Sequence, residues 1–213
     1  MYIPASFAEE DPAVGRALVE ANPFGMLVVP VPGGVEIAHI PFLLDPAPTP
    51  LGTLRAHVAK QNPVASLLAE PLPVVAVFTG PHCYVSPRWY EKPARNVPTW
   101  NYAVTHAHGV ARRIDGRDDV LRTLADLTEI HEAGAPEPWS LAGADAAHVE
   151  GLWRGIVAFS IRIDRFETKR KLSQNRPAAD RLRVAAALRE RAGPGDETIA
   201  RWIEEREAAG PRS

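Results

Sequence analysis

Four short segments of this chain set amides and hydroxyls beside aromatic rings and cations. They are His39-Ile40-Pro41-Phe42, then His57 to Asn62 with Lys60 between them, then Tyr84 to Tyr90 running on to Thr99-Trp100-Asn101-Tyr102, and finally Lys169 to Arg176. Rings stack on a planar ligand, amides read its edges, and lysine or arginine with serine takes a phosphate. The mixture suits a planar, polar, anionic ligand. Any one segment serves equally well as a turn or a strand end; four of them together favour a site. In the last, four of eight residues are cations, Lys169, Arg170, Lys171 and Arg176. That run suits an anion, whether the phosphate of a small molecule or one phosphate of DNA. It also reads as a solvated turn, with Asn175 as a cap for the helix that follows.

Other chemistries have weaker support. His106 and His108 share a strand face, but a zinc site takes at least three protein ligands and the pair supplies two, so no metal is expected. Cys83 could pair with His82 or His57 as a nucleophile, although a lone cysteine in an apolar, proline-flanked setting is usually inert. The chain has no Gly-x-Ser-x-Gly elbow, no glycine-rich dinucleotide fingerprint and no phosphate loop ending in Gly-Lys-Ser/Thr. Carboxylates such as Glu204, Glu205 and Glu207 sit on a helical face that solvent explains. With 24 basic and 26 acidic residues the formal charge is −2, so contact with nucleic acid would need a local basic patch. Arg181, Arg183, Arg189 and Arg191 offer a basic surface, interrupted by Asp180 and Glu190. The single cysteine excludes a disulfide framework within the chain. No apolar run reaches the roughly 18 residues of a spanning helix. Glu9, Glu10 and Asp11 stand where a signal peptide would be basic. The expectation is a soluble, cytoplasmic protein.

The elements that must position these residues follow from proline and from hydrophobic period. Proline supplies 21 of 213 residues, roughly double average usage, and most of them lie before residue 99. Proline breaks helices and is excluded from central strands. Strands are therefore predicted over 25–31, 35–44, 52–59, 72–79, 99–114 and 155–166. Pro32-Gly33-Gly34 makes a hairpin turn, and Pro41 marks an edge or a bulge. Residues 80–98 read as an unusually aromatic connection. Helices are predicted over 11–21, 62–70, 118–132, 145–153, 177–192 and 196–209, from apolar residues at helical spacing and from caps such as Asp11 and Asn62. Six strands without regular strand–helix alternation point to an antiparallel barrel decorated by helices, mainly β with α.

The chain resembles the PaiB family of FMN-binding negative transcriptional regulators. The likeness rests on Met1-Tyr2-Ile3-Pro4 with Phe7, on Ala38-His39-Ile40-Pro41-Phe42, and on Leu54 to Lys60 with Asn62-Pro63. It continues through Gly80 to Pro87, Trp89-Tyr90, Val97 to Tyr102 and Lys171 to Arg176. Ala56 stands where glycine is common in the family and Cys83 where alanine is common; both are small. The resemblance implies an antiparallel six-stranded split β-barrel of the flavin-reductase and pyridoxamine-phosphate-oxidase kind, spanning 1–176, with a helical extension over 177–213. It implies a homodimer with FMN at the subunit interface, and DNA as a partner by family analogy alone. The main chain of His39, Ile40, Pro41 and Phe42 would then meet the flavin ring, and His57, Lys60 and Asn62 the phosphate. Tyr84 and Ser86 would flank the ribityl chain, and Trp100 with Asn101 would touch the ring. Lys171, Ser173, Gln174 and Asn175 would reach over from the second subunit. The expected role is that of a repressor of degradative-enzyme and sporulation-type genes rather than an enzyme. The alternative is a flavin-dependent oxidoreductase acting on a small aromatic or haem-like substrate.

Overall fold

The computed structural model describes residues 1–46 and 49–210. In chain order its main elements are β1 (Ala8–Glu9), α1 (Pro12–Ala21), β2 (Phe24–Val31), β3 (Gly34–Pro41), β4 (Leu43–Asp45), β5 (Thr53–Ala59), α2 (Pro63–Leu67) and β6 (Leu72–Val85). They continue with β7 (Thr99–Ile114), α3 (Arg117–Glu132), α4 (Ala146–Trp153), β8 (Ile156–Lys171), α5 (Ala178–Arg191) and α6 (Asp196–Ala209). The chain forms two compact units. One comprises Met1–Leu18, Thr79–Thr105 and Glu167–Ser213, the other Val19–Phe78 and His106–Phe166.

The strands form one sheet in the order β3-β2-β6-β7-β8-β5-β4, with β1 paired on β8, and every pairing whose register is resolved is antiparallel. Eight strands therefore replace the expected six, and the path of pairings is open. One of the extra two is β1, paired on β8; the other has a local cause. Pro41 has no N–H to give a ladder, and the N–H of Phe42 donates to the carbonyl of Pro23 at 2.8 Å. The predicted strand over 35–44 thus breaks at Phe42 into β3 and β4. These two lie at opposite ends of the strand order with a single residue between them. A sheet whose outer strands are joined by one residue must roll up, so the architecture is a split barrel. The fold is α+β, mostly antiparallel sheet with several helices.

In the unit of β2 to β5, alternation decides the core. Leu54, Ala56 and Val58 of β5 are buried against Leu27, Val29, Ala76, Phe78, Val157, Phe159 and Ile161. Phe42 meets Phe78 edge to face, with centroids 5.2 Å apart. Gly109 lies where a Cβ would fall 2.1 Å from the Arg162 carbonyl oxygen, so close an approach of β7 to β8 that only glycine fits. Arg55 ties β4, β5 and α3 together through Asp45 at 2.5 and 2.9 Å and Asp126 at 2.7 Å. The hydrogen bond to Asp45 raises its pKa above the ordinary arginine value, and burial acts against it.

In the other unit, α5 and α6 pack Val184, Ala185, Leu188, Ile199, Ala200 and Ile203 around Val85, Tyr90 and Leu172. Two strands run further here than their sequence suggests. β6 continues through Gly80 and Pro81 to Val85, where a connection was expected. Its alternation shifts by one at Pro81-His82: positions 74, 76, 78 and 80 are buried before it, 83 and 85 after it. β8 likewise continues from Phe166 to Lys171. Asn175 does not cap α5, whose N-cap is Pro177 without a side-chain hydrogen bond.

Candidate functional site

The fifteen site residues read from the sequence divide between the two units. In the unit of β2 to β5, His39 is exposed on β3 opposite Met26, Ile40 is buried, and Pro41 is half-buried opposite Phe24. Phe42 is buried, and its N–H is already engaged by Pro23. His57 lies on β5 opposite Ala158, on the strand face away from the core. Burial lowers its pKa below the ordinary histidine value, because a desolvated imidazolium is disfavoured. Its Nδ1 is buried and has no hydrogen-bond partner among the described residues. Lys60 follows at the strand end, where its N–H donates to the carbonyl of Gly155 at 2.8 Å while the side chain is exposed. Asn62 caps α2, its Oδ1 accepting from Val64 N at 2.9 Å.

In the other unit, the rings of His82, Tyr84 and Trp100 stand together: Trp100 lies 5.7 Å from His82 and 6.3 Å from Tyr84 between centroids. Trp100 is 52% exposed and Tyr84 39%, so these rings face outward. Ser86 is buried, and its Oγ accepts from the N–H of Arg88 at 3.3 Å. Asn101 and Ser173 are both buried and bonded to each other, Nδ2 to Oγ at 3.0 Å. Ser173 holds φ at 63°, a left-handed conformation uncommon for a residue with a side chain. Gln174 stabilises the same turn: its Oε1 accepts from Leu172 N at 2.6 Å, and its Nε2 donates to the Arg170 carbonyl at 2.5 Å. Asn175 is exposed. Lys171 donates to Thr99 Oγ1. Burial lowers the Lys171 pKa, Tyr102 opposes the fall, and the charges of Lys169 and Arg176 add to it. The Cys83 thiol is pushed up to about 11, first by burial and then by Asp196, which keeps it protonated and inert.

Sequence reasoning passed over the burial of Lys169, which it had counted only as one cation of a run, and over a groove. Lys169 is buried beneath Tyr2, Phe7 and Tyr102. No hydropathy alternation marks Glu167 to Lys171, over which β8 continues, so sequence pattern gave no signal of that burial. The groove, of about 710 Å³, is bordered by Ala5, Ser6, Asp11, Arg181, Arg206 and Glu207, among others. Of the fifteen residues only Gln174 borders it. Its arginines are engaged, Arg181 with Glu207 at 2.5 Å and Arg206 with Glu9 at 3.1 Å.

This arrangement fits a phosphorylated, ring-bearing ligand. Within the unit of β2 to β5, the buried Nδ1 of His57 has no partner among the described residues and Lys60 offers an exposed charge three residues on; within the other unit, the exposed indole of Trp100 offers a stacking face. Comparison with known proteins agrees. Residues 1–165 match the family described as "Putative FMN-binding domain". An uncharacterised protein of Emericella nidulans is 32% identical over 97% of this chain and 97% of its own. The protease synthase and sporulation protein PAI 2 of Bacillus subtilis is 29% identical over 97% of this chain and 98% of its own. Among solved structures, the FAD and heme binding protein of Mycobacterium smegmatis superposes with a TM-score of 0.59 at 17% identity, covering 76% of this chain and 72% of that one, a likeness of fold. The cofactor that goes with this family is FMN. The chain belongs to the FMN-binding domain family, the group to which its histidine, lysine and aromatic segments pointed.

Proposed function

We propose that the protein is an FMN-binding negative regulator of gene expression, working as a cytosolic homodimer with the flavin at the subunit interface. The observation that carries this reading is likeness over nearly the whole chain to a protein named for protease synthesis and sporulation, together with the FMN-binding family match. Bound FMN supplies a ring that takes up and returns electrons, which gives such a regulator a redox input. Lys60 supplies the charge for the phosphate, with neutral His57 and the amide of Asn62 as donors beside it. Tyr84 and Ser86 flank the ribityl chain, Trp100 stacks on the ring, and the backbone of His39, Ile40 and Pro41 meets the ring edge. Lys171, Gln174 and Asn175 reach the flavin from the second copy. Asn101 and Ser173, each taken up by the other, act by fixing the turn rather than by touching the flavin.

Three of the four arginines on α5 are ion-paired, and Arg183 is exposed. Arg181 is paired with Glu207, Arg189 with Glu197 and Glu204, and Arg191 with Asp196. A purified protein with flavin absorption bands, and a K60A variant that binds FMN about tenfold more weakly at physiological salt, are the expected results. A colourless protein that takes up no FMN would end the flavin reading. An anisotropy titration on its own promoter with salt varied tests direct repression, which fails if no salt-dependent binding is seen at low ionic strength.

A second reading, a flavin-dependent oxidoreductase, is favoured by the outward-facing His82, Tyr84 and Trp100 rings, on which a planar substrate could stack. Bleaching of the bound flavin by NADH or NADPH, followed by reoxidation on adding an aromatic or haem-like substrate, would select it over the regulator.

A further inference from the structure

Three cations of one unit, Lys169, Lys171 and Arg176, stand near one another, and among the described residues none forms an ion pair with a carboxylate. Lys169 and Lys171 are two residues apart on β8, so they leave the strand on one face, about 6.5 Å apart along it. Lys169 is 7% exposed. Its ammonium lies 5.2 Å from the ring centre of Tyr102, 5.7 Å from that of Tyr2 and 5.8 Å from that of Phe7. It donates to the carbonyl of Tyr2 at 3.2 Å. An ammonium carries three donors, and among the described residues the other two have no acceptor. Lys171 has the hydroxyl of Thr99, and the charged groups acting on it are Lys169 and Arg176. Arg176 lies 4.8 Å over the Tyr90 ring and donates to Asn96 Oδ1 at 2.6 Å, while its Nε is buried with no acceptor.

Cations withdrawn from water are ordinarily paired, and like charges held near one another oppose the folded state. Rings offset part of that cost for Lys169 and Arg176, but they leave the donors unused. We propose that Lys169, Lys171 and Arg176 form a receptor for an oxyanion of the phosphate or phosphate-monoester class. All three lie beyond residue 165, where the family match ends; the arm of the inference in which the ion is the flavin's own phosphate rests on the flavin reading, and the arm in which it is a separate phosphate does not. The ion has two sources, the flavin's own phosphate or a separate phosphate, and they are separable by experiment.

The full-length protein, wild type and K169M/K171M, is titrated with inorganic phosphate in its flavin-loaded form by calorimetry. The affinities of the flavin-free protein for FMN and for riboflavin are measured by fluorescence quenching. The double variant should lose at least tenfold in one of two quantities. Loss of phosphate affinity with an unchanged FMN-to-riboflavin ratio identifies a separate anion; a collapse of that ratio identifies the flavin's own phosphate. K171R should keep most of whichever quantity is lost. Should the double variant fail to fold, K171M alone is judged by the same criterion. A folded variant with wild-type phosphate affinity and a wild-type ratio overturns the proposal. So does a wild type that ignores phosphate and binds riboflavin as tightly as FMN. A wild type that binds phosphate but neither flavin would refute the flavin reading and leave this receptor standing.

Discussion

Replacing Ser173 separates two costs that the turn between β8 and α5 combines. The serine Oγ accepts from Asn101 Nδ2 at 3.0 Å, and both residues are buried, at 2% and 0% exposure. S173A removes that bond and leaves a buried amide unsatisfied, worth about 2–3 kcal/mol when the lost bond and the orphaned group are taken together. It keeps a Cβ at φ 63°. S173G loses the same bond but relieves the left-handed backbone, worth roughly 1–2 kcal/mol. Against this, glycine's extra freedom in the unfolded chain costs roughly 0.5–1 kcal/mol. The difference favours S173G over S173A by about 0.5–1 kcal/mol. Urea unfolding at constant m-value reads both variants. If S173G proves less stable than S173A, the backbone at 173 is not strained and the reasoning fails. A double-mutant cycle with N101A should show the two changes to be strongly non-additive.

Three further expectations follow from particular groups. G109A forces β7 from β8 by more than an ångström; losing two ladder bonds and repacking Ile161 should cost about 3 kcal/mol, or roughly 6–12 °C in Tm, while G34A, which meets nothing within 4 Å, should leave Tm nearly unchanged. His57 should titrate by NMR below the ordinary value of about 6.5 in the flavin-free protein. Its folded pKa is depressed, so its contribution to stability is full above that ordinary value and is lost as pH falls through the folded one; H57F should abolish that component of the pH profile. Asp196 is held below the usual aspartate range, first by its hydrogen bond from Arg191, so its contribution is present above about pH 4 and fades as pH falls through the folded value. D196N should therefore lower stability at pH 7 and flatten the acid limb of a pH-dependent urea titration.

Strands such as β5 were legible because their residues alternate, and that of 72–79 because its apolar run is of strand length. Leu54, Ala56 and Val58 lie buried on one face of β5 with Arg55 and His57 on the other, as spacing requires. Pro41 announced an irregularity in its strand, though not that the strand divides at Phe42; the continuation of β6 over Gly80–Val85 was not legible in a proline-rich stretch. Asn62 capped its helix as expected, because a cap is a local matter; Asn175 did not, because Ser173 turned the chain first. At the candidate site, residue types announced a polar, anionic ligand. Which cations are ion-paired could not be read, because pairing is settled in three dimensions: Arg181, Arg189 and Arg191 meet carboxylates of α6, while among the described residues Lys169 and Lys171 meet none.

That pairing has a consequence for fragments of this protein. Cutting the chain before Asp196 removes Glu197, Glu204 and Glu207 along with Asp196 and leaves Arg181, Arg189 and Arg191 uncovered. A shortened protein would cling to heparin or to any duplex in dilute buffer, and a gel shift obtained with it would report a sticky helix that the intact molecule keeps sheathed.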